Sequence, residues 1–167
     1  RQYNLDVLRK YSAVLGPGFS YLEALPNFST IEAVCPWWVG LASSGSEHYA
    51  NTRMSPSFTR QSFDEYPAPV RDRLSVIVSS QSRTQLQQQR QRLVDFLHSR
   101  LNEIDVFGRG RAQLADKADV LGVNRYHLAV ENSFHPGYWT EKLADPVLMN
   151  NYVFYGGHSS YRTSFDA

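Results

Sequence analysis

From Leu74 to Gly157 the chain repeats one pattern: a short apolar or β-branched run, a polar turn, a helical stretch, then another short run. That alternation constrains the fold more than anything else in the sequence, because helical crossovers between short strands build a parallel sheet. Leu74 to Ser79 is β-branched and apolar, as a strand buried on both faces is. The helix that follows carries Leu86, Leu93, Leu97 and Leu101 at spacings of seven, four and four, and Thr84 with Gln87 forms a capping box at its start. Ile104 to Phe107 is predicted as the second strand, stopped by Gly108-Arg109-Gly110, and Ala112 to Leu121 as a short helix. Tyr126 to Val130 is the third strand, Thr140 to Met149 the third helix, and Tyr152 to Tyr155 a fourth strand closed by Gly156-Gly157. The expected fold class is α/β, a Rossmann-like parallel sheet with helices on both faces. Ligands of such sheets bind at the carboxyl ends of the strands, which directs attention to Ser79–Arg83, Gly108–Arg111, Glu131–Tyr138 and Gly156–Ser160.

The first 70 residues have a different texture. Their apolar clusters are short and broken by Gly16-Pro17-Gly18, Pro26-Asn27, Ser43 to Ser46 and Pro56, and strands are expected only at Ala13–Leu15 and Ala33–Val39. Trp37-Trp38 fits core or interdomain packing better than a sugar platform. The longest mainly apolar run, Ala33 to Ala42, is half the length a spanning helix needs and contains Pro36. The single cysteine, Cys35, cannot form an internal disulfide, which leans towards a reducing compartment. A net charge of +1 gives no global reason to expect nucleic acid. The absence of an initiator Met or a leader pattern at Arg1 suggests a piece of a longer chain.

Three places strain against a bland reading. Arg90 lies four after Leu86 and three before Leu93, on the apolar stripe of its helix. A guanidinium there must find an anion, unless the helix turns slightly and the side chain reaches an exposed end with its stem packed. If Thr140 caps the third helix, Glu141 and Lys142 take its first two positions, where the helix dipole opposes a cation by roughly 0.3–1 kcal/mol. An anion bound at that helix start makes sense of Lys142 and leaves Glu141 to accept from hydroxyls such as a ribose diol. A solvated surface pair is the alternative. Glu131-Asn132-Ser133 directly follows the third strand, where site residues gather, although turn chemistry explains Asn and Ser equally well.

Other signals are weaker. Gly108 could let a phosphate approach the backbone, or simply turn the chain. The histidines His48, His98, His127, His135 and His158 show no metal spacing, and no Walker lysine loop, nucleophile elbow or dinucleotide fingerprint is present. Basic residues divide into 14 Arg and three Lys (Lys10, Lys117, Lys142), so anion chemistry would be mostly guanidinium. Between Ser79 and Ala112, six arginines (Arg83, Arg90, Arg92, Arg100, Arg109, Arg111) face three acids (Asp95, Glu103, Asp105), a basic edge hidden by overall neutrality.

Glu131-Asn132-Ser133, then Tyr138-Trp139-Thr140-Glu141-Lys142-Leu143-Ala144-Asp145, then Tyr152-Val153-Phe154-Tyr155-Gly156-Gly157 closely resembles the signature of glycosyltransferase family ten. These are the α-1,3/4-fucosyltransferases. Val76 to Ser80, Arg90 to Leu97 and Ile104 to Gly110 resemble further segments of the family, and the likeness is continuous from about Arg73 to Ala167. Arg1 to Asn4 and Pro36 to Gly40 are similar to the approach to the donor domain in bacterial-type members.

The resemblance implies the carboxyl-terminal half of a GT-B glycosyltransferase, with residues 1–70 a connecting remnant of the acceptor-side region and 71–167 the GDP-fucose-binding domain. Arg90 and Lys142 match the residues that contact the donor pyrophosphate, Glu141 the one that binds the ribose hydroxyls, and Asn132 and Tyr138 polar residues of the donor pocket. Ser79, Gly108 and Glu131 are further candidates for that pocket. The implied reaction is inverting transfer of L-fucose from GDP-fucose to a hydroxyl of an N-acetylglucosamine- or glucose-containing glycan. No metal and no cofactor is required, since Arg90 and Lys142 stabilise the departing diphosphate. The catalytic base is expected in an amino-terminal domain that this chain largely lacks. Two alternatives accompany this reading: a non-catalytic nucleotide-sugar-binding module, and a transferase using another donor such as GDP-mannose. Localisation would be cytoplasmic or at the cytoplasmic membrane face in a bacterium, and the Golgi lumen in a eukaryote. Departures from the pattern are Ser80 for a usual Asn, Pro146 for Ala, Gly156 for a bulkier residue, and a longer Gln-rich loop before Arg90. Pro146 should kink the last helix, or restart it with Asp145 as a cap.

Overall fold

A computed structural model describes residues 4–16, 22–30, 39, 41–43, 52–54, 64–159 and 162. The chain divides into two compact units, one of Arg1–Cys35, Ser133–Thr140 and Gly157–Ala167, the other of Pro36–Asn132 and Glu141–Gly156. In the first, helix α1 (Leu5–Leu8) is capped by Asn4, whose side chain accepts from the Asp6 N–H. Strands β1 (Val14–Gly16) and β2 (Phe28–Thr30) pair in parallel there, with Val14 opposite Phe28. The Asn27 amide donates to the Tyr11 carbonyl at 2.7 Å, and Leu22 and Leu25 are buried.

The second unit holds a small antiparallel pair, β3 (Leu41–Ser43) with β4 (Thr52–Met54), and the main sheet. That sheet is made of β5 (Arg71–Ile77), β6 (Ile104–Phe107), β7 (Asn124–Val130) and β8 (Tyr152–Gly156), all parallel, in the order β6-β5-β7-β8. Helix α2 (Gln85–Arg100) connects β5 to β6, α3 (Ala118–Leu121) precedes β7, and α4 (Glu141–Leu148) connects β7 to β8. The first connection runs one way along the sheet and the later ones run the other. Right-handed crossovers therefore place α2 on one face and α3 and α4 on the other. The expected α/β class with a parallel sheet and helices is what the chain adopts.

Alternation along β5 divides the core. Val76 and Val78 pack with Val94 of α2 and Ile104, supported by Leu74, Leu97, Val106 and Leu128. On the opposite face Val39, Ala118, Leu121 and Met149 form a second cluster, with Ile77, Tyr66 and Leu148 against it.

Before residue 70, α1, β2, β3 and β4 are additional to the expected strands. From Leu74 onward most elements fall where the sequence puts them, with three differences. The helix expected over Ala112–Leu121 is confined to Ala118–Leu121. Ala112 instead accepts from the Gly108 N–H and bridges to Phe107, and the Asp116 carboxylate accepts from the Ala118 N–H, so side-chain and strand-like bonds replace the first helical turns. Helix α4 runs through Pro146 without restarting, because Pro146 falls in its second turn and sacrifices only the bond to the Lys142 carbonyl. Asp145 is consequently a buried helix residue and not a cap. The buried residues of α2 are Arg90 and Val94, with Leu97 half-buried beside them, whereas Leu86, Leu93 and, just past the helix, Leu101 are exposed. The strand expected at Ala33–Val39 lies outside the described residues except for Val39, a buried turn residue.

Candidate functional site

The order β6-β5-β7-β8 reverses direction between β5 and β7, so a crevice opens at their carboxyl ends with α2 leaving on one side and α4 on the other. Thr84 fixes where α2 starts. Its hydroxyl accepts from the Gln87 N–H at 3.2 Å while the Gln87 side chain accepts from the Thr84 N–H at 3.2 Å, the expected capping box. Two turns in, Arg90 faces the sheet and is 6% exposed. Its Nη1 donates to the Asn132 Oδ1 in the loop after β7. A bond from α2 to that loop spans the crevice.

Ser79 and Gly108 stand at the neighbouring strand ends. The Ser79 carbonyl accepts from the Gln91 side chain, whose oxygen in turn accepts from Arg111 at 2.7 Å, and Arg111 also pairs with Asp95 at 2.8 Å. Arg111 is thus spent on holding α2 to the loop after β6. Gly108 has φ +126°, and a Cβ there would lie 2.3 Å from the Val78 carbonyl oxygen. Only glycine lets these two loops lie against each other, and the Ser80 N–H to Arg109 carbonyl bond at 2.8 Å locks them.

The α4 side is denser in charge. Glu131, the first residue past β7, is 1% exposed, and its backbone N–H donates to the Gly156 carbonyl at 2.8 Å. Its carboxylate lies 3.4 Å from Lys142 Nζ, and Lys142 lies 3.6 Å from Glu141 Oε1. Glu141 and Lys142 are the first two residues of α4, as the sequence predicted. Two further members were not among the candidate residues. Lys117 Nζ is 2.6 Å from Asp145 Oδ2 and 3.7 Å from Glu141 Oε1. The signals were available: Asp145 is four residues after Glu141, on the same helix face, and Lys117 is one of only three lysines.

Beneath this network lies His127, which is fully buried with Nδ1 2.9 Å from the Ser75 hydroxyl. Burial, helped by the Lys117 charge, pushes its pKa down to about 3, so it is neutral at physiological pH. In the same row Asp105 receives two bonds from Arg73, at 3.0 and 2.6 Å, and one from Asn124, which hold its carboxyl below the usual range despite partial burial. Among the described residues no group of three or more His, Cys, Asp or Glu side chains is arranged to hold a metal ion.

The structure therefore brings Arg90 to Asn132, brings Glu131, Glu141 and Lys142 together, and puts Ser79 and Gly108 on adjoining strand ends. Tyr138 belongs to the other compact unit, where its N–H donates to the His135 carbonyl at 3.0 Å.

A doubly wound, Rossmann-like α/β domain with ionisable residues gathered at the strand carboxyl ends is the class these features define. The family model for the C-terminal region of glycosyltransferase family 10 (fucosyltransferase) matches residues 69–162, more than half of the chain. The chain belongs to that family. Membership makes it a glycosyltransferase of the fucosyltransferase type at the level of the family, and implies a nucleotide-sugar donor and a glycan acceptor. No curated protein and no solved structure matches it. Among the described residues no helix is long and apolar enough to cross a membrane.

Proposed function

We propose that residues 71–167 bind GDP-fucose in the crevice between β5 and β7, as the donor half of an inverting fucosyltransferase acting on a hydroxyl of an N-acetylglucosamine- or glucose-containing glycan. The observation that carries this reading is Arg90, a nearly buried guanidinium at the point where the sheet order reverses, held by the loop that opens with Glu131-Asn132. A buried cation costs several kcal/mol unless it serves an anion or a tightly bonded partner, and a diphosphate would be such an anion. In the reaction the acceptor hydroxyl attacks the anomeric carbon from the face opposite GDP, and charge grows on the departing diphosphate. Arg90 and Lys142 would stabilise that charge, Glu141 would accept from the ribose hydroxyls, and Asn132, Ser79, Gly108 and Glu131 would line or brace the pocket.

Calorimetric titration against GDP-fucose, GDP-mannose and UDP-N-acetylglucosamine tests the donor, with GDP-fucose expected to bind tightest. If Arg90→Ala and Lys142→Ala both leave GDP affinity within about 0.5 kcal/mol, less than a tenfold change, the diphosphate assignment fails. A second reading is binding without turnover, as a nucleotide-sugar-binding module. Release of GDP that depends on an acceptor separates the two, because a binding module would show none.

A further inference from the structure

Lys117 lies outside every segment at the strand carboxyl ends, yet its ammonium reaches into the network there. It sits just before α3, with a side chain 19% exposed, and it touches two carboxylates of α4 at once, Asp145 at 2.6 Å and Glu141 at 3.7 Å. Asp145 is fixed from a second direction. Its Oδ1 accepts from the Val39 N–H at 3.4 Å, and its side chain is 1% exposed. The Lys117–Asp145 pair is thus a rigid post in the interior, and Glu141 stands one helical turn before Asp145 on the same face. Glu141 Oε1 lies between two ammonium groups from different elements, Lys117 and Lys142, at 3.7 and 3.6 Å. Lys142 has Glu131 to satisfy as well, so Lys117 is the cation whose own position is set independently of the crevice.

We propose that Lys117 is a positioning residue for the sugar-hydroxyl end of the donor site: anchored by Asp145, it holds the Glu141 carboxylate oriented to accept from a vicinal diol. This rests on the reading of Glu141 as the group that meets the ribose hydroxyls. Lys117 acts through Glu141 and touches no substrate. The consequence is selective. Loss of Lys117 removes the preference for a diol and leaves recognition of the diphosphate intact.

The test compares GDP with 2′,3′-dideoxy-GDP by calorimetric titration. Lys117→Met paired with Asp145→Asn removes one positive and one negative charge, so the net charge beside Lys142 is unchanged, and the asparagine keeps an acceptor for the Val39 N–H. The doubly substituted protein is expected to lose at least fivefold of the preference for GDP while its affinity for the dideoxy compound stays within twofold of the unsubstituted protein. Lys117→Gln, which retains a donor for Asp145 without a charge, is expected to lose at least threefold. Either folded variant that keeps the full preference overturns the role of Lys117. If the unsubstituted protein binds both compounds equally, the assignment of Glu141 fails and the role of Lys117 with it. If it binds neither, the donor reading itself is wrong.

Discussion

The two faces of the main sheet are built from the same strands and differ in kind. On the α2 face, registered positions read Leu74, Ile104 and Tyr126 in one row and Val76, Val106 and Leu128 in the next. On the α4 face the intervening row reads Asp105, Ser75 and His127, each held by a bond: Arg73 to Asp105, and Ser75 to His127. One face is an ordinary apolar core. The other carries, beside its own cluster of Val39, Ala118, Leu121 and Met149, a row of bonded polar groups and the Lys117–Asp145 pair. Buried polar groups are tolerated only when bonded, and a bonded network fixes side chains in one arrangement more stringently than oil-like contacts do. The comparison teaches that the α2 face supplies cohesion while the α4 face supplies positional accuracy to Glu131, Glu141 and Lys142.

The heaviest blow to the polar face should come from Lys117→Met alone. It removes the ammonium beside the Asp145 carboxylate, whose side chain is 1% exposed, and breaking one partner of a buried pair costs about 3–5 kcal/mol. Pairing it with Asp145→Asn should recover more than half of that loss, since the uncompensated charge is gone. Urea unfolding of the two proteins measures it. A single substitution that costs less than about 1 kcal/mol would mean that water reaches the pair and that the α4 face is not the rigid one.

Much of the fold was legible because strand runs and helix caps are local signals. Thr84 with Gln87 gave the start of α2, and Glu141 and Lys142 gave the start of α4. The facing of α2 was less legible. Leu86, Leu93, Leu97 and Leu101 define a mean direction about 30° away from that of Arg90, Val94 and Leu97, at 3.6 residues per turn. A stripe of leucines outvotes one valine in the pattern, but Val94 is the residue that fits against Val76, Val78 and Ile104. The rotation buries Arg90 more deeply than its place beside the leucines suggests, so the residue that looked awkward in sequence is the better buried. Lys117 and Asp145 escaped notice because their pairing joins residues 28 positions apart, which no local pattern reports.

Across the crevice the two flanks hold their cations differently. Arg90 donates to the Asn132 amide oxygen, whereas Lys142 lies beside the Glu131 and Glu141 carboxylates, which offset its charge. In the donor-binding reading Arg90→Ala should therefore weaken GDP binding more than Lys142→Ala does, by about a hundredfold (~2.7 kcal/mol) against about tenfold. Calorimetric titration supplies both numbers. The reverse order would show that the carboxylates around Lys142 yield to the ligand and that the α4 flank carries the larger share.

His127 makes the polar face sensitive to acid in a way the α2 face is not. Its folded pKa of about 3 lies below the ordinary 6.5, so between those values the unfolded chain takes up a proton that the folded one refuses. Stability contributed by neutral His127 is complete above pH 6.5 and is lost as pH falls towards 3, at up to about 1.4 kcal/mol per pH unit, or ~2 kcal/mol at pH 5. Asp105, whose carboxyl is held low by Arg73, adds a loss in the same direction once pH falls below the ordinary carboxylate range. His127→Asn should flatten the slope of unfolding free energy between pH 7 and pH 5. An unchanged slope would assign the acid sensitivity to other groups.

The smallest effects test the apolar face, where α2 should discriminate between two adjacent residues. Val94 is fully buried against Val76, Val78 and Ile104, so Val94→Ala removes two methyl groups' worth of burial and leaves a small void, costing about 1.5–2.5 kcal/mol. Leu93 is 41% exposed on the neighbouring strip of the helix, and Leu93→Ala should stay within about 0.5 kcal/mol, although the side chain removed is the larger. Chemical denaturation distinguishes the two. If Leu93→Ala proves the costlier, the leucine stripe faces the sheet after all, and Arg90 turns away from Asn132 by the same rotation. The crevice would then lose the one cation that reaches it from the α2 side. The stability of an uncharged pair of substitutions thereby reports on which way Arg90 faces.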